Sequence, residues 1–193
     1  MSVSFDLFGT LVTVDRPADP AAALARELRA REVTVPVDWN AAYASAHVDA
    51  PEGAVIPLAD HVAAALASRG VDPRRATVEG AVRTAFTPAT VRARPGADRV
   101  LDAAQAQGPV GVLSNCSVRG LVDRTLARAG PDGSLDAAVA SVDCGWRKPD
   151  PRAFEALATE LAVDPGDLVL VGYDLRTDGG VEAEEPGPPI PPR

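Results

Sequence analysis

PVGVLS, residues 109–114, is a short apolar run set between two segments of helical periodicity, one near Ala97–Gln107 and one over Val118–Ala129. Its length and its β-branched content suit a strand. A further strand pattern covers Ala137–Val142, giving strand, helix and strand in turn. Beyond it, Asp150 and Pro151 cap a helix that carries Phe154, Leu157 and Leu161 on one face. DLVLVG, residues 167–172, then forms the clearest buried strand of the chain. Alternation of this kind predicts an α/β fold of Rossmann-like type, a parallel sheet with helices on both faces.

Working toward the N-terminus, Val3–Leu7 is an apolar run interrupted by Asp6 and closed by Gly9, which predicts a buried strand ending in a tight loop. From Asp15 to about Val91 the pattern is helical. Asp19 and Pro20 form a cap and first-turn pair ahead of Leu24 and Leu28, and further helices are expected over Trp39–His47, Leu58–Ser68 and Thr77–Phe86. Residues 49–57, DAPEGAVIP, read as the loop within this block. The block therefore sits as an α-helical insertion at 15–91 in a core made of 1–14 and 92–185. The proline-rich end, 186–193, is expected to be a disordered tail.

Composition narrows the function classes. The 193 residues are 46% hydrophobic and 24% charged, a globular composition that excludes disorder, collagen and coiled coil. There is no apolar run long enough to span a bilayer and no export-signal pattern, so a cytoplasmic location without membrane contact is expected. A net charge of −8 with scattered arginines offers no footprint for a nucleic-acid backbone. Cys116 and Cys144, far apart and without CxxC spacing, read as free thiols. The chain holds a single lysine, Lys148, beside 18 arginines, so its position calls for a chemical reason.

In an open parallel sheet, ligands bind outside the carboxyl ends of the strands. The polar residues expected there are Asp6 after the first strand, Ser114 and Asn115 after the second, Lys148 after the third, and Tyr173, Asp174 and Asp178 after the last. That ordered set resembles the haloacid dehalogenase (HAD) superfamily of hydrolases, in the subgroup with a helical cap inserted after the first motif. FDLFGTL at 5–11 is similar to its nucleophile motif, VLSN at 112–115 to the second, RKPDPRAF at 147–154 to the third, and VGYDLRTD at 171–178 to the acidic fourth.

The resemblance implies a covalent aspartyl intermediate on Asp6. Ser114 would hydrogen-bond the transferring group, and Lys148 would neutralise its charge and orient Asp6. Phe8, Gly9, Thr10 and Asn115 would hold the substrate. Asp6, the Phe8 carbonyl, Asp174 and Asp178 would supply hard oxygens to Mg²⁺. The implied activity is Mg²⁺-dependent hydrolysis of a small phosphorylated metabolite, by a monomer or homodimer.

Three departures mark this chain. Phe8 stands where phosphatases of the superfamily carry an acid/base aspartate, and losing such a group costs typically 10²–10⁴-fold. An aromatic residue there resembles the 2-haloacid dehalogenases, whose halide leaves unprotonated and whose activity needs no metal. The arginine those enzymes use after a cap tryptophan has a counterpart position at Asn40 after Trp39, with Arg26, Arg29 and Arg31 as substitutes. The usual GlyAsp of the last motif reads GlyTyrAsp, so either Asp174 is a direct ligand or Tyr173 occupies the ligand place. The proline-rich end replaces a final strand, leaving a sheet edge open to pairing. A third reading, a phosphate-binding regulatory protein with weak turnover, follows from the same departures.

Other candidates read as structural. His61 shares a helix face with Val62 and Leu66, and His47 ends a helix. Cys116 has no histidine near it in sequence, and no serine-hydrolase elbow, Walker loop or dinucleotide fingerprint is present.

Overall fold

The computed structural model describes residues 1–129 and 134–178. In chain order, β1 (Ser2–Phe5) and β2 (Val12–Val14) precede four helices, α1 (Pro20–Arg29), α2 (Trp39–Ala44), α3 (Leu58–Ala67) and α4 (Arg75–Ala85). Then come β3 (Val91–Ala93), α5 (Ala97–Gln105), β4 (Val110–Ser114), α6 (Leu121–Ala129), β5 (Ala137–Ala140) and the single turn α7 (Ser141–Cys144). Helix α8 (Pro151–Leu161), a 3₁₀ turn at Pro165–Asp167, β6 (Leu168–Val171) and the short α9 (Leu175–Asp178) complete it. The expected tail at 186–193, and residues 179–185 of the expected core, lie outside the described residues.

The main sheet has the order β5-β4-β1-β6, all parallel, with Phe5 opposite Val112 on one side and Val171 on the other. The chain steps outward from β1 to β4 to β5, then returns to lay β6 on the far side of β1. That reversal puts the C-terminal end of β1 at the switch point, where a crevice forms.

Strand β4 is buried along its whole length, and its side chains alternate between two cores. Val110 and Val112 join α5 and α6 on one face, and Leu113 joins Leu157 and Leu161 of α8 on the other. Each such side chain, taken out of water, stabilises the fold by about 1.5–3 kcal/mol. Gly111 is small because it must be: a Cβ there would lie 2.9 Å from a Leu157 methyl and 3.0 Å from a Leu161 methyl. Helix α8 starts where Asp150 accepts a bond from the Arg152 N–H, with Pro151 in its first turn. Helix α1 starts the same way, Asp19 accepting from the Ala22 N–H at 2.9 Å, and buries Leu24 and Leu28 completely.

Helices α1–α4 lie between β2 and β3, which pair antiparallel as a short two-stranded sheet. These three-residue strands escaped the sequence reading, being too short to show a period. Three other expectations need correction. The 137–142 strand ends at Ala140, because the Ser141 hydroxyl accepts from the Cys116 N–H at 2.9 Å and donates to the Cys116 carbonyl at 3.0 Å, drawing the chain off the ladder. Among the described residues β6 stands at the edge of the sheet, with Val169 46% and Val171 42% exposed, where 167–172 reads as the clearest buried strand. Helix α6 begins at Leu121 instead of Val118, after Gly120 in a left-handed conformation at φ +65°. Among the described residues, no helix is long and apolar enough to cross a membrane.

Candidate active site

Asp6 follows β1 directly, and its N–H donates to the Val171 carbonyl at 2.9 Å, so the β1–β6 ladder fixes the backbone under the carboxylate. The chain then turns tightly. The Leu7 carbonyl accepts from the N–H groups of Leu11 and Val12 at 3.0 Å each, and Gly9 takes φ +91°, which favours glycine. The Tyr173 ring packs on this glycine so closely that a Cβ would come within 2.6 Å of it. The Arg94 guanidinium donates to the Gly9 carbonyl and holds the turn from the other side.

The lone lysine is the hub. Lys148 is 2% exposed, and its Nζ donates to Asp6 Oδ1 at 3.0 Å and to Asp178 Oδ1 at 2.7 Å. Asn115 clamps its backbone: the Asn115 side-chain NH₂ donates to the Lys148 carbonyl at 3.0 Å, and the Lys148 N–H donates to Asn115 Oδ1 at 2.8 Å. The end of β4 thus sets the position of the lysine, and the lysine gathers the ends of β1 and α9. Asp178 is anchored a second time, its Oδ2 accepting from the Asp174 N–H at 3.1 Å. In a buried triad of one cation and two carboxylates, removing the shared cation is the strongly destabilising change, because it leaves both carboxylates unpaired.

Burial pushes the Asp6 carboxyl above the ordinary 3.8, with the Lys148 ammonium opposing that rise. An ionised carboxylate is the form able to attack an electrophile, so the capacity of Asp6 for such attack falls as pH drops through this raised value. The stability effect has the opposite sign: burying ionised Asp6 costs stability above that raised value, and the cost is lost as pH falls from it to the ordinary 3.8. A pH–rate profile of kcat/KM is expected to show an acidic limb above 3.8. Gly172 backs the same triad. A Cβ there would overlap the Asp178 carboxylate, so Gly172→Ala is expected to displace Asp178 and lower stability by about 1–3 kcal/mol in denaturant unfolding.

Ser114 is 1% exposed at the end of β4, and its Oγ has no hydrogen-bond partner among the described residues. The Thr10 hydroxyl is likewise buried and unpartnered among them. Unsatisfied hydroxyls beside a buried ion pair are a reserve of hydrogen bonds for a ligand. Phe8 and Asn115 line a cavity of about 270 Å³ together with Cys116, Leu58 of α3 and Phe86 after α4. Arg16, which sequence reading passed over, also lines it and stacks its guanidinium 5.3 Å from the centre of the Phe8 ring. Its signal was the end of β2 at Val14, visible only once that strand is known. Arg31 instead pairs with Glu27 at 2.8 Å and bonds Thr84, and Trp39 is buried with its indole N–H on the Ala21 carbonyl.

Asp174 stands apart from the triad. Its Oδ1 accepts from the Arg176 N–H at 3.1 Å, which together with the Arg176 guanidinium holds its carboxyl below the usual range. Among the described residues no group of three acids, histidines or cysteines gathers at one point. Asp6 and Asp178 do meet, at one ammonium, and with the Phe8 carbonyl they are hard oxygen donors of the type a small divalent ion takes. His47 and His61 each bond a backbone carbonyl at 2.7 Å, of Ala42 and Tyr43. The Cys116 thiol is buried, which pushes its pKa up and makes it a poor nucleophile.

Comparison with known proteins bears on the fold and the family. Residues 1–175 match the family model described as haloacid dehalogenase-like hydrolase. Among solved structures, a predicted phosphoglycolate phosphatase from Haemophilus somnus superposes with TM-score 0.54 at 20% identity, covering 89% of this chain and 76% of that one. CbbY from Rhodobacter sphaeroides, solved as a mutant with xylulose 1,5-bisphosphate, gives 0.56 at 19%, covering 88% and 76%. A HAD phosphatase from Thermococcus onnurineus gives 0.53 at 18%, covering 92% and 79%. A search of curated proteins returned no match. At these identities the solved structures speak to the fold, and the family model to the class: the chain belongs to the haloacid dehalogenase-like hydrolases.

Proposed function

We propose that this hydrolase cleaves small phosphate compounds through a covalent intermediate on Asp6, and that it acts on substrates whose leaving group departs without a proton. The observation that carries the reading is the buried Lys148 ammonium touching both Asp6 and Asp178, beside a buried phenylalanine where an acid/base group would act. Asp6 Oδ2 attacks phosphorus, and the P–O bond to the leaving group breaks. Lys148 keeps Asp6 oriented and offsets negative charge on the transferring group, and the unpartnered Ser114 hydroxyl donates to one of its oxygens. Asp178, on the same ammonium, fixes the lysine in place; water then attacks phosphorus of the intermediate, Asp6 is released as its carboxylate, and the proton leaves with the inorganic phosphate. Helices α1–α4 act as the cap that excludes bulk water, and Arg16 meets an anionic group of the substrate in the cavity beneath them.

Mg²⁺, when bound, would supply further neutralisation of the phosphoryl charge; Asp6, Asp178 and the Phe8 carbonyl would hold it, with Asp174 joining only on release from Arg176. Phe8 has no proton to give, and the missing acid is worth roughly 3–5 kcal/mol of barrier. The class that fits is therefore acyl, enol and aryl phosphates. The test is a series of phosphate esters of graded leaving-group acidity, assayed with Mg²⁺ and with chelator. A steep rise of kcat/KM with leaving-group acidity supports the reading, and alkyl esters cleaved as fast as aryl esters contradict it. One observation favours a second reading: the cavity beside Phe8 is largely apolar and holds the cation Arg16, which suits a 2-haloacid whose halide leaves unprotonated. Halide release from such acids, independent of metal, would assign it.

A further inference from the structure

A second cavity, of about 400 Å³, opens between α4 and the segment that runs from the end of β4 into α6. Its size falls in the ~300–1,000 Å³ range of small-molecule sites. Four arginines line it, Arg75 and Arg83 from α4 and Arg119 and Arg124 from the other side, against one acid, Glu79. In a chain of net charge −8 this is a local reversal of sign. Spacing explains half of it: Arg75, Glu79 and Arg83 follow one another at four-residue intervals, so all three share a face of α4.

The four guanidinium groups are unequally satisfied. Arg75 is matched, by Glu79 and Asp60 at 2.8 Å each. Among the described residues Arg119 has only Asp143 at 3.7 Å, an exposed and loose pair. Arg83 forms no ion pair among the described residues. Arg124 is the telling case. Its two terminal nitrogens share the single Arg119 carbonyl at 3.4 Å, and its Nε is buried with no partner among the described residues. Five N–H donors in a rigid fork with one distant acceptor leave the group short of bonds, and a planar oxyanion would supply them bidentately.

We propose that this cavity is a binding site for a phosphate-type oxyanion, held by Arg124, Arg83 and Arg119 at the seam between the helical block and the sheet domain. Ser117 lines both this cavity and the one beside Phe8, and its carbonyl accepts from the Leu58 N–H at 2.9 Å. The anion therefore sits across one turn of chain from the cavity beside Phe8. It is either the distal group of an elongated substrate or a separate anion, and both share the same recognition chemistry.

Inorganic phosphate is the probe, titrated into the full chain while backbone amide NMR signals are followed. Shifts are expected at residues 75–83 and 117–124, separate from any at Asp6 and Lys148, so the result does not depend on the catalytic reading. Arg124→Gln and Arg83→Gln, each removing charge-assisted bonds, are expected to weaken that affinity about tenfold or more. Arg83 is exposed, so its variant keeps the fold if Arg124→Gln does not. A rise in KM for substrates with a second anionic group, but not for an aryl phosphate, would assign the anion to the substrate. Unchanged KM for both, with phosphate still bound at the seam, would assign it to a separate anion. No shifts at 75–83 and 117–124, or equal affinity in wild type and the Arg83 variant, would overturn the proposal.

Discussion

Asp6→Asn is expected to abolish turnover, by on the order of 10³-fold or more, while leaving the fold in place. The amide occupies the volume of the carboxylate, and its oxygen still accepts from the Lys148 ammonium that contacts Asp6 Oδ1 at 3.0 Å. What disappears is the anionic oxygen that the proposed mechanism uses to attack phosphorus. Because Asp6 is held above the ordinary carboxylate range by burial, the substitution also removes a desolvation penalty, and the melting temperature should stay level or rise. Residual activity that remains large in this variant would place the nucleophile elsewhere. A drop in activity matched by a drop in stability would mean that Asp6 serves the fold more than the reaction.

Lys148→Met carries the largest expected effect on stability. The side chain fits the space, but Asp6 and Asp178, both 8% exposed, then face each other without the cation between them. Breaking a buried pair from one side costs about 3–5 kcal/mol. At about 2–4 °C per kcal/mol for a chain of this size, that is on the order of 10 °C in melting temperature. Without Lys148 the opposing influence on Asp6 is lost and its pKa rises further. The deficit should therefore be largest at neutral pH and shrink as the medium is acidified and the carboxylates take up protons. Unfolding by urea at neutral and at mildly acidic pH measures both. A loss independent of pH would point to packing instead of charge.

The features legible in the sequence are those written locally. PVGVLS reads as a buried strand because Val110–Ser114 within it are all buried, and the Asp150–Pro151 and Asp19–Pro20 pairs start helices because their side chains cap the next turn. Asp6 and Lys148 are legible for a chemical reason: a carboxylate at a strand end and a unique lysine before a proline are each unusual. The misreadings share a cause. LVLV at 168–171 is apolar throughout, but whether an apolar strand is central or at an edge depends on what lies beside it, which composition does not encode. Ser141 ends β5 through a bond to Cys116, 25 residues away. Arg16 enters the site only because β2 and β3 pair across the whole helical block and set the chain after Val14 beside Phe8. Asp174 shows the same limit from the other side: its spacing to Asp178 suits a ligand pair, while its carboxylate closes onto Arg176 at the start of α9.

The proposed mechanism requires a covalent bond to Asp6. Its most direct test is a single-turnover reaction with acetyl phosphate, quenched in acid and mapped by peptide mass spectrometry. A phosphoryl group is expected on the peptide that holds Asp6, at Asp6 itself, and absent from Asp6→Asn. Turnover with Asp6 unmodified throughout, or a phosphoryl group carried on another residue, would contradict it.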